Sequence, residues 1–310
     1  MKFISKHFKS DYSKNVLTLI TGTTIAQAIP IAITPILTRL YTPNDFGVFA
    51  LFLAITAITG AISNAQYEQA IVLPKKDEDS YSLVFLGVFI ALLISFILLL
   101  LVVFFDKTIL TYLENNEIKP FLYLIPISTF LVGVFNSFNY FNIRKNKFKN
   151  IAISKITRSS SLVVSQLLLG LIFLGPMGLV IGQIFSYFTG NMMLFKTLKE
   201  NYKNNYYSKK SIKLQAIKFK NFPIFSMPSI FLNSINLNIL NFISYMKHVC
   251  ICHCGLTVNQ IRGYFVIKMS FNSFTVQLSY FSVLITFVSD SSITTSSTSS
   301  TSFSSVISSM

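Results

Sequence analysis

Ionisable side chains are scarce along most of this chain, so those at the edges of apolar stretches are the first candidates for chemistry. Glu68 directly follows the second uncharged stretch, and Arg39 directly follows the first. An acid or base at the end of a membrane span either serves function or anchors the span. For Glu68 the structural alternative is an ion pair with Arg144 or Arg158. For Arg39 the two readings are contact with an anionic substrate or phosphate and anchoring of the helix end.

A second candidate is a run of asparagines at Asn136, Asn139 and Asn142. Their spacing of three residues places them on one face of a helix, which predicts a polar stripe toward a cavity or a neighbouring helix. All the other predicted spans except span three carry one or two amides each, and these are Gln27, Asn64, Gln66, Gln166, Gln183 and Asn191. The residues predicted to contact a substrate are Gln27, Arg39, Asn64, Glu68, Asn136 and Asn139.

The chain contains no recognisable catalytic set. A glycine-rich phosphate loop, a His-Glu metal motif and a serine elbow are all missing from the sequence. The only crowding of soft ligands is His248-x-Cys250-x-Cys252-His253-Cys254, which lacks the second, separated pair typical of structural zinc sites. We therefore predict no metal and no cofactor, and favour a carrier over an enzyme.

The uncharged stretches have the length of membrane spans. About 20 apolar residues of helix cross a hydrocarbon core of about 30 Å. Five stretches contain no Asp, Glu, Lys, Arg or His: 16–38, 46–67, 80–105, 120–143 and 159–195. Gly175-Pro176-Met177-Gly178 is strong turn punctuation and divides the last stretch into two passes. The sequence thus predicts an all-α polytopic membrane protein with a six-helix lobe.

Basic residues alternate between the loops of this lobe. Lys and Arg crowd the N-terminal segment and the loops after spans two, four and six, whereas the other loops hold only Arg39, Lys107 and Lys119. Since positive charge stays on the cytoplasmic side, the N-terminus is predicted to be cytoplasmic. Lys155 and Arg158 are expected to snorkel at the inner end of span five. This placement also explains the net charge of +15 without nucleic acid, since anionic lipids suffice as partners.

Two local features are predicted in the first half of the lobe. Thr42-Pro43-Asn44-Asp45 reads as a helix N-terminus in which Thr42 caps, Pro43 fits the first turn and Asp45 complements the helix dipole. The preceding loop is so short that spans one and two should form a hairpin. Span three has almost no polar residue and is expected to face lipid.

Composition divides the chain into five segments. We assign residues 1–15 to a basic N-terminal segment, 16–198 to the lobe, 199–220 to a basic cytoplasmic loop, 221–246 to a seventh span, and 247–310 to an atypical tail. The tail is rich first in Cys and His and then in Ser and Thr, a composition that cannot bury a core. We hypothesise that the reading frame shifts near Met246, which resequencing of the gene would test.

Two motifs resemble the polysaccharide (O-antigen) flippases of the multidrug/oligosaccharidyl-lipid/polysaccharide exporter superfamily. The first is Pro35-Ile36-Leu37-Thr38-Arg39-Leu40-Tyr41-Thr42-Pro43-Asn44-Asp45-Phe46-Gly47, which resembles that family's entry into span two. The second is Tyr67-Glu68-Gln69-Ala70-Ile71-Val72-Leu73-Pro74, which resembles its "YE-x-A-I-x-L-P" motif. A weaker third mark is Phe222-Pro223 with Pro228-Ser229. The motif positions include Tyr41, Pro43, Asp45, Gly47, Tyr67 and Pro74, and the resemblance covers residues 1 to about 245.

The resemblance implies a protein of the bacterial inner membrane with twelve to fourteen helices in two rocking lobes. Such proteins move an undecaprenyl-diphosphate-linked oligosaccharide to the outer leaflet. The implied partners are that lipid-linked oligosaccharide, membrane lipids and other polysaccharide-assembly proteins. Only the first lobe and the start of span seven resemble the family, so truncation is expected.

Three alternatives remain open. A small-molecule antiporter of the same fold should carry an acid in the middle of a span. No Asp or Glu lies in the middle of any predicted span of the lobe. A membrane polymerase should carry a large outer loop with arginines, whereas the longest outer loop is 106–119. A non-functional one-lobe remnant is the third alternative.

Overall fold

The described part of the chain is helical. A computed structural model describes residues 11–113, 118–172, 175–201 and 209–238, and these residues form helices and no strand. The predicted all-α polytopic class is confirmed. The helices are α1 (Asp11–Leu40), α2 (Pro43–Ile62), α3 (Tyr67–Ala70), α4 (Asp77–Leu113), α5 (Lys119–Leu122), α6 (Ile125–Arg144), α7 (Phe148–Ile172), α8 (Met177–Asn201), α9 (Lys209–Lys218) and α10 (227–238).

Five helical segments of the described residues are long and apolar enough to cross a membrane. They are Lys14–Leu40, Pro43–Ile62, Asp77–Asp106, Lys119–Arg144 and Met177–Glu200. The remaining predicted pass, span five, corresponds to α7, which is 25 residues long but carries Lys149, Lys155 and Arg158. α7 begins at Phe148, well before the predicted start at residue 159. The prediction placed the start after the last charged residue, but charged residues can be part of a helix. The predicted break before α8 is present, with Gly175 at φ 93°.

The predicted end of span two is wrong. We expected that span to continue to Tyr67, but α2 ends at Ile62 and the chain turns before α3. Ala65 and Gln66 adopt positive φ angles of 47° and 63° in this turn. The Ser63 hydroxyl donates to the Gly60 carbonyl and so offers the backbone an alternative to the helix. Hydropathy could not locate this break, since all the residues involved are uncharged.

The helices pack in an order that differs from their order along the chain. α1 packs on α7, α7 on α8, and α8 on α6, while α6 also contacts α4 and α2. Small residues permit the closest of these approaches. A Cβ added at Gly22 of α1 would lie 2.4 Å from the Cβ of Ala152 on α7. The six long helices therefore form one bundle in which α6, α7 and α8 are the central members.

The third span faces outward as predicted. Along Asp77–Asp106 only 11% of the most apolar window is buried. Its exposed side chains include Phe89, Phe96, Ile97 and Phe104. Exposure of this many large apolar groups is consistent with a lipid-facing helix and not with a water-facing one.

Beyond the lobe, the structure describes only the beginning of the predicted seventh span. Phe222–Ser226 form a turn of π-helix and residues 227–238 continue as α10. The remainder of that span, the Cys/His cluster and the Ser/Thr-rich tail lie outside the described residues, as does the N-terminal segment 1–10.

Candidate functional site

The first family motif forms the turn between α1 and α2, here called the outer corner (residues 41–47). Thr42 and Asp45 make a reciprocal capping box, because the Asp45 carboxylate accepts from the Thr42 backbone N–H at 2.8 Å and the Asp45 N–H donates back to the Thr42 hydroxyl at 3.3 Å. Pro43 occupies the first turn and Gly47 is buried. The predicted cap is confirmed, and these residues build geometry.

Tyr41 fixes the outer corner to the bundle. Its side chain is 3% exposed, and its hydroxyl donates to the Gln166 carbonyl of α7 at 2.7 Å. Two glycines make room for it, since a Cβ at Gly170 or Gly178 would meet the Tyr41 hydroxyl at 2.6 or 2.3 Å. The ring of Phe46 packs edge-on at 6.2 Å. Burial raises the pKa of Tyr41 to about 12, with Asp45 adding to the shift, so the hydroxyl stays a donor.

The second family motif lies at the opposite end of the bundle, in the segment that we call the inner corner (residues 63–77). The Asn64 amide donates to the Gly133 carbonyl at 2.8 Å and to the Ser137 hydroxyl at 2.7 Å, both on α6. Its carbonyl oxygen accepts from the Ser63 hydroxyl at 3.0 Å. Asn64 was predicted to contact a substrate. In the structure its amide group instead hydrogen-bonds to α6 and joins the end of α2 to that helix.

Arg144 closes the other end of the inner corner. Its guanidinium donates to the carbonyls of Val72 and Pro74 and pairs with Asp77 at 3.3 Å. Lys145 also pairs with Asp77, at 2.7 Å. The motif residue Pro74 therefore contributes a carbonyl that anchors the segment to the C-terminal end of α6.

Glu68 lies inside the inner corner. The side chain is 5% exposed, and its Oε2 atom is buried with no hydrogen-bond partner among the described residues. The expected ion pair with a basic inner residue such as Arg144 or Arg158 is not formed by either of these two arginines. Burial raises the pKa of Glu68 to about 7. Its neighbour Tyr67 donates a hydrogen bond to the Ala216 carbonyl of α9 at 3.1 Å.

The asparagine stripe on α6 divides into two kinds of residue. Asn142 is fully buried and donates to the carbonyls of Phe138 and Leu194, the second of which lies on α8. Asn136 and Asn139 are half-buried. Among the described residues, the Oδ1 atoms of both Asn139 and Asn142 are buried with no hydrogen-bond partner. Asn142 therefore joins two helices through its amide nitrogen, and both side chains retain an unused acceptor.

A cluster of cationic and aromatic side chains that was not predicted as a site lies between α6, α7 and α8. Arg158 of α7 is half-buried, and its guanidinium carbon lies 4.2 Å from the ring centre of Tyr187 on α8 and 5.3 Å from that of Phe135 on α6. Lys155 lies one turn earlier, also half-buried, with its Nζ atom 3.5 Å from the Thr23 hydroxyl of α1. We call Lys155 and Arg158 the cationic pair. Arg158 therefore stacks between helices of the bundle.

Close packing of α7 on α8 fixes the position of Arg158. Ser154 donates to the Gly190 carbonyl at 3.1 Å and so holds α7 against α8. A Cβ at Gly190 would lie 3.3 Å from the Phe135 ring and 3.5 Å from Arg158. Arg158 is ten residues into α7, or about 15 Å along the helix axis. The two rings that it stacks on, Phe135 and Tyr187, lie within the candidate spans Lys119–Arg144 and Met177–Glu200.

The remaining predicted contacts lie on α1. Gln27 is half-buried one turn after Thr23, which contacts Lys155, whereas Arg39 is exposed at the end of the helix. The six predicted contacts lie on three parts of the bundle: Gln27 and Arg39 on α1, Asn64 and Glu68 at the inner corner, and Asn136 and Asn139 on α6. Asn64 is joined to α6 through Gly133 and Ser137, whereas Arg39 lies at the other end of the bundle.

The chemistry available at the cationic pair is anion binding. Two positive charges one helical turn apart attract a phosphate or a pyrophosphate, and a guanidinium binds such oxygens with two parallel hydrogen bonds. Neither cation pairs with a carboxylate of the described residues. A signal for this site was present in the sequence: the two residues are three positions apart, a spacing that shares a helix face. No group of three or more metal-ligating side chains occurs in the described ranges.

Comparison with known proteins gives one match. A family model described as polysaccharide biosynthesis protein matches residues 36–244, which include both corners and the cationic pair. No curated protein and no solved structure matches the chain. The match covers more than half of the sequence and agrees with the resemblance to polysaccharide flippases. The chain belongs to the polysaccharide biosynthesis protein family.

Proposed function

We propose that this lobe carries a lipid-linked oligosaccharide across the bacterial inner membrane, with the cationic pair receiving the diphosphate of an undecaprenyl-diphosphate carrier. The single observation that carries the proposal is the half-buried position of Arg158, stacked on Phe135 and Tyr187, which lie within two candidate spans. Family membership supports a role in polysaccharide synthesis or export, and the apolar helices support a multi-pass membrane protein.

The energetic argument concerns an unneutralised charge at membrane depth. A cation in this position is costly unless a partner compensates it, and rings compensate only part of the cost. No carboxylate of the described residues pairs with Lys155 or Arg158. An anionic substrate would supply that partner. A carrier for a neutral or cationic compound gains nothing from this arrangement.

The same observations weigh against the alternatives. The described spans hold no acid near their middle that would couple a cation, which disfavours an antiporter. The longest predicted outer loop, 106–119, contains no arginine, which disfavours a polymerase. Other proteins of polysaccharide assembly are expected partners of such a carrier.

Binding of the lipid tests the proposal directly. The full chain in lipid nanodiscs is titrated with undecaprenyl diphosphate, and Arg158→Gln is compared with Lys149→Gln, a control at an exposed lysine of the same helix. Because a hydrogen bond to a charged group contributes about 1.5–3 kcal/mol, Arg158→Gln should weaken binding by at least about 10-fold. Lys149→Gln should leave binding unchanged.

Two outcomes would overturn the proposal. One is equal binding by the two variants. The other is equal affinity of the unaltered chain for undecaprenyl diphosphate and for undecaprenol, which lacks phosphate. Transport itself is measured as the appearance of a labelled lipid-linked oligosaccharide in the outer leaflet of proteoliposomes, and Arg158→Gln should abolish it.

A further inference from the structure

Helix α9 is attached to the inner end of the bundle by one face. The Ser82 hydroxyl of α4 donates to that of Ser211 at 3.0 Å, and the Tyr67 hydroxyl donates to the Ala216 carbonyl at 3.1 Å. Ile212 and Ala216 pack against the apolar cluster around Tyr67, and Gln215 is 2% exposed. These contacts define the docked face of α9 and fix its rotation about its own axis.

The opposite face of α9 combines exposed leucine and isoleucine with lysine. Leu214 is 57% exposed and Ile217 is 60% exposed, and they are flanked by the exposed Lys213 and Lys218. We call these four residues the free face. Lys209, Lys210 and Lys220 add further positive charge nearby in the chain, and no acid occurs between Glu200 and Asp290. Apolar and cationic groups on one helical surface are typical of helices that lie in a membrane interface.

The attachment point sets the depth of the free face. Ser82 lies five residues after the start of α4, or about 8 Å along that helix. The start of α4 also carries Asp77, which pairs with Arg144 and Lys145 at the inner corner. Since α4 is a lipid-facing span, a helix bound beside its first turns lies where hydrocarbon meets head groups. Leu214 and Ile217 at that level can reach acyl chains while the lysines stay among the head groups.

We propose that the free face of α9 binds anionic phospholipids of the cytoplasmic leaflet. Leu214 and Ile217 insert into the boundary of the acyl chains, and Lys213 and Lys218 contact the phosphates and the net negative charge of the leaflet. Charge complementarity selects this occupant over a zwitterionic lipid surface, because all the ionisable groups of the free face are positive. The proposal does not depend on the identity of the transported substrate.

The experiment uses the absence of tryptophan from the chain. Leu214→Trp makes the free face the only source of tryptophan emission in the full chain, and Phe89→Trp on exposed α4 is the matched control within the span. Each variant is placed in nanodiscs that contain brominated phosphatidylglycerol in phosphatidylcholine, or brominated phosphatidylcholine in phosphatidylglycerol. Bromine quenches tryptophan only on contact, so the ratio of quenching reports which lipid lies at the site.

We expect Leu214→Trp to emit at short wavelength and to be quenched at least about 2-fold more by brominated phosphatidylglycerol than by brominated phosphatidylcholine. Adding Lys213→Gln and Lys218→Gln should bring that ratio to about 1, whereas Phe89→Trp should show a ratio of about 1 throughout. Emission like that of tryptophan in water, without quenching, would overturn the proposal and assign the face to a soluble partner. Equal quenching by both lipids would overturn the selection for anionic lipid.

Discussion

The outer and inner corners of the bundle satisfy their buried polar groups to different extents. At the outer corner, no buried side-chain atom of Tyr41, Thr42 or Asp45 lacks a hydrogen-bond partner. At the inner corner and at the Arg144 side chain that closes it, Glu68 Oε2 and Arg144 Nε are buried without a partner among the described residues. A buried polar atom without a partner costs about 1–3 kcal/mol.

The backbone shows the same contrast between the corners. The outer corner has a capped helix start with ordinary dihedral angles, whereas the inner corner holds Ala65 and Gln66 in the left-handed region. Backbone strain persists only where the surrounding structure over-determines it, and it clusters at ligand sites and switch regions. The outer corner is therefore a fixed joint, and we infer that the inner corner is the part that rearranges.

The largest effect is expected at the outer corner. Tyr41→Ala removes a buried aromatic ring and should lower the free energy of unfolding by about 3–5 kcal/mol. Tyr41→Phe keeps the ring and loses only the bond to Gln166, so it should cost about 1 kcal/mol. Thermal unfolding of the purified protein in detergent measures both. Equal midpoints for Tyr41→Phe and Tyr41→Ala would contradict the model of a packed joint.

The next effect concerns pH at the inner corner. The pKa of Glu68 is raised from 4.5 to about 7 in the folded protein, so the folded state holds this proton more tightly than the unfolded state. Its contribution to stability is full below pH 4.5 and is lost as the pH rises toward 7, by an amount on the order of 3 kcal/mol. Glu68→Gln removes that loss.

The measurement is the unfolding midpoint at pH 5 and at pH 8. Glu68→Gln should unfold at a higher temperature than the unaltered protein at pH 8 and at a similar temperature at pH 5. Asp45→Asn, which weakens the capping box of the outer corner, should lower the midpoint at both pH values. A destabilised Glu68→Gln at pH 8 would show that the carboxylate has a stabilising partner.

The smallest expected change in the free energy of unfolding comes from substituting glycine for alanine at a strained backbone position, compared with an unstrained one. Ala65→Gly removes the cost of about 1–2 kcal/mol for a side chain at positive φ. It also increases unfolded-state entropy, which costs about 0.4–1 kcal/mol. The net result should be stabilisation of about 0.5 kcal/mol. Ala57→Gly, at an exposed position within α2, should instead destabilise by about 1 kcal/mol. Destabilisation by both substitutions to the same extent would refute strain at the inner corner.

Sequence reasoning succeeded where the cause is local. The cap formed by Thr42 and Asp45 depends on residues three positions apart, and the outward orientation of α4 depends on its own composition. Both can be inferred from one segment alone. The all-helical membrane class follows from the same uncharged stretches.

Sequence reasoning failed where the cause lies in another helix. The amide of Asn64 bonds to Gly133 and Ser137, and the guanidinium of Arg158 stacks on Tyr187, so their roles depend on how distant segments align. Each span was also predicted to end at the first charged residue. That rule places every lysine and arginine outside the membrane, so it could not identify the cationic pair.

The packing of α1 on α7 has a consequence for the time course of synthesis. α1 ends at Leu40, whereas its neighbour α7 is complete only at Ile172. At about 5–20 residues per second, the ribosome needs roughly 7–26 s to produce the intervening chain. During that interval Gly22 and its surrounding surface have no Ala152 to meet and must be covered by lipid or by the insertion machinery. Although α1 is made before the other helices of this bundle, it is therefore among the last of them to reach its native neighbour.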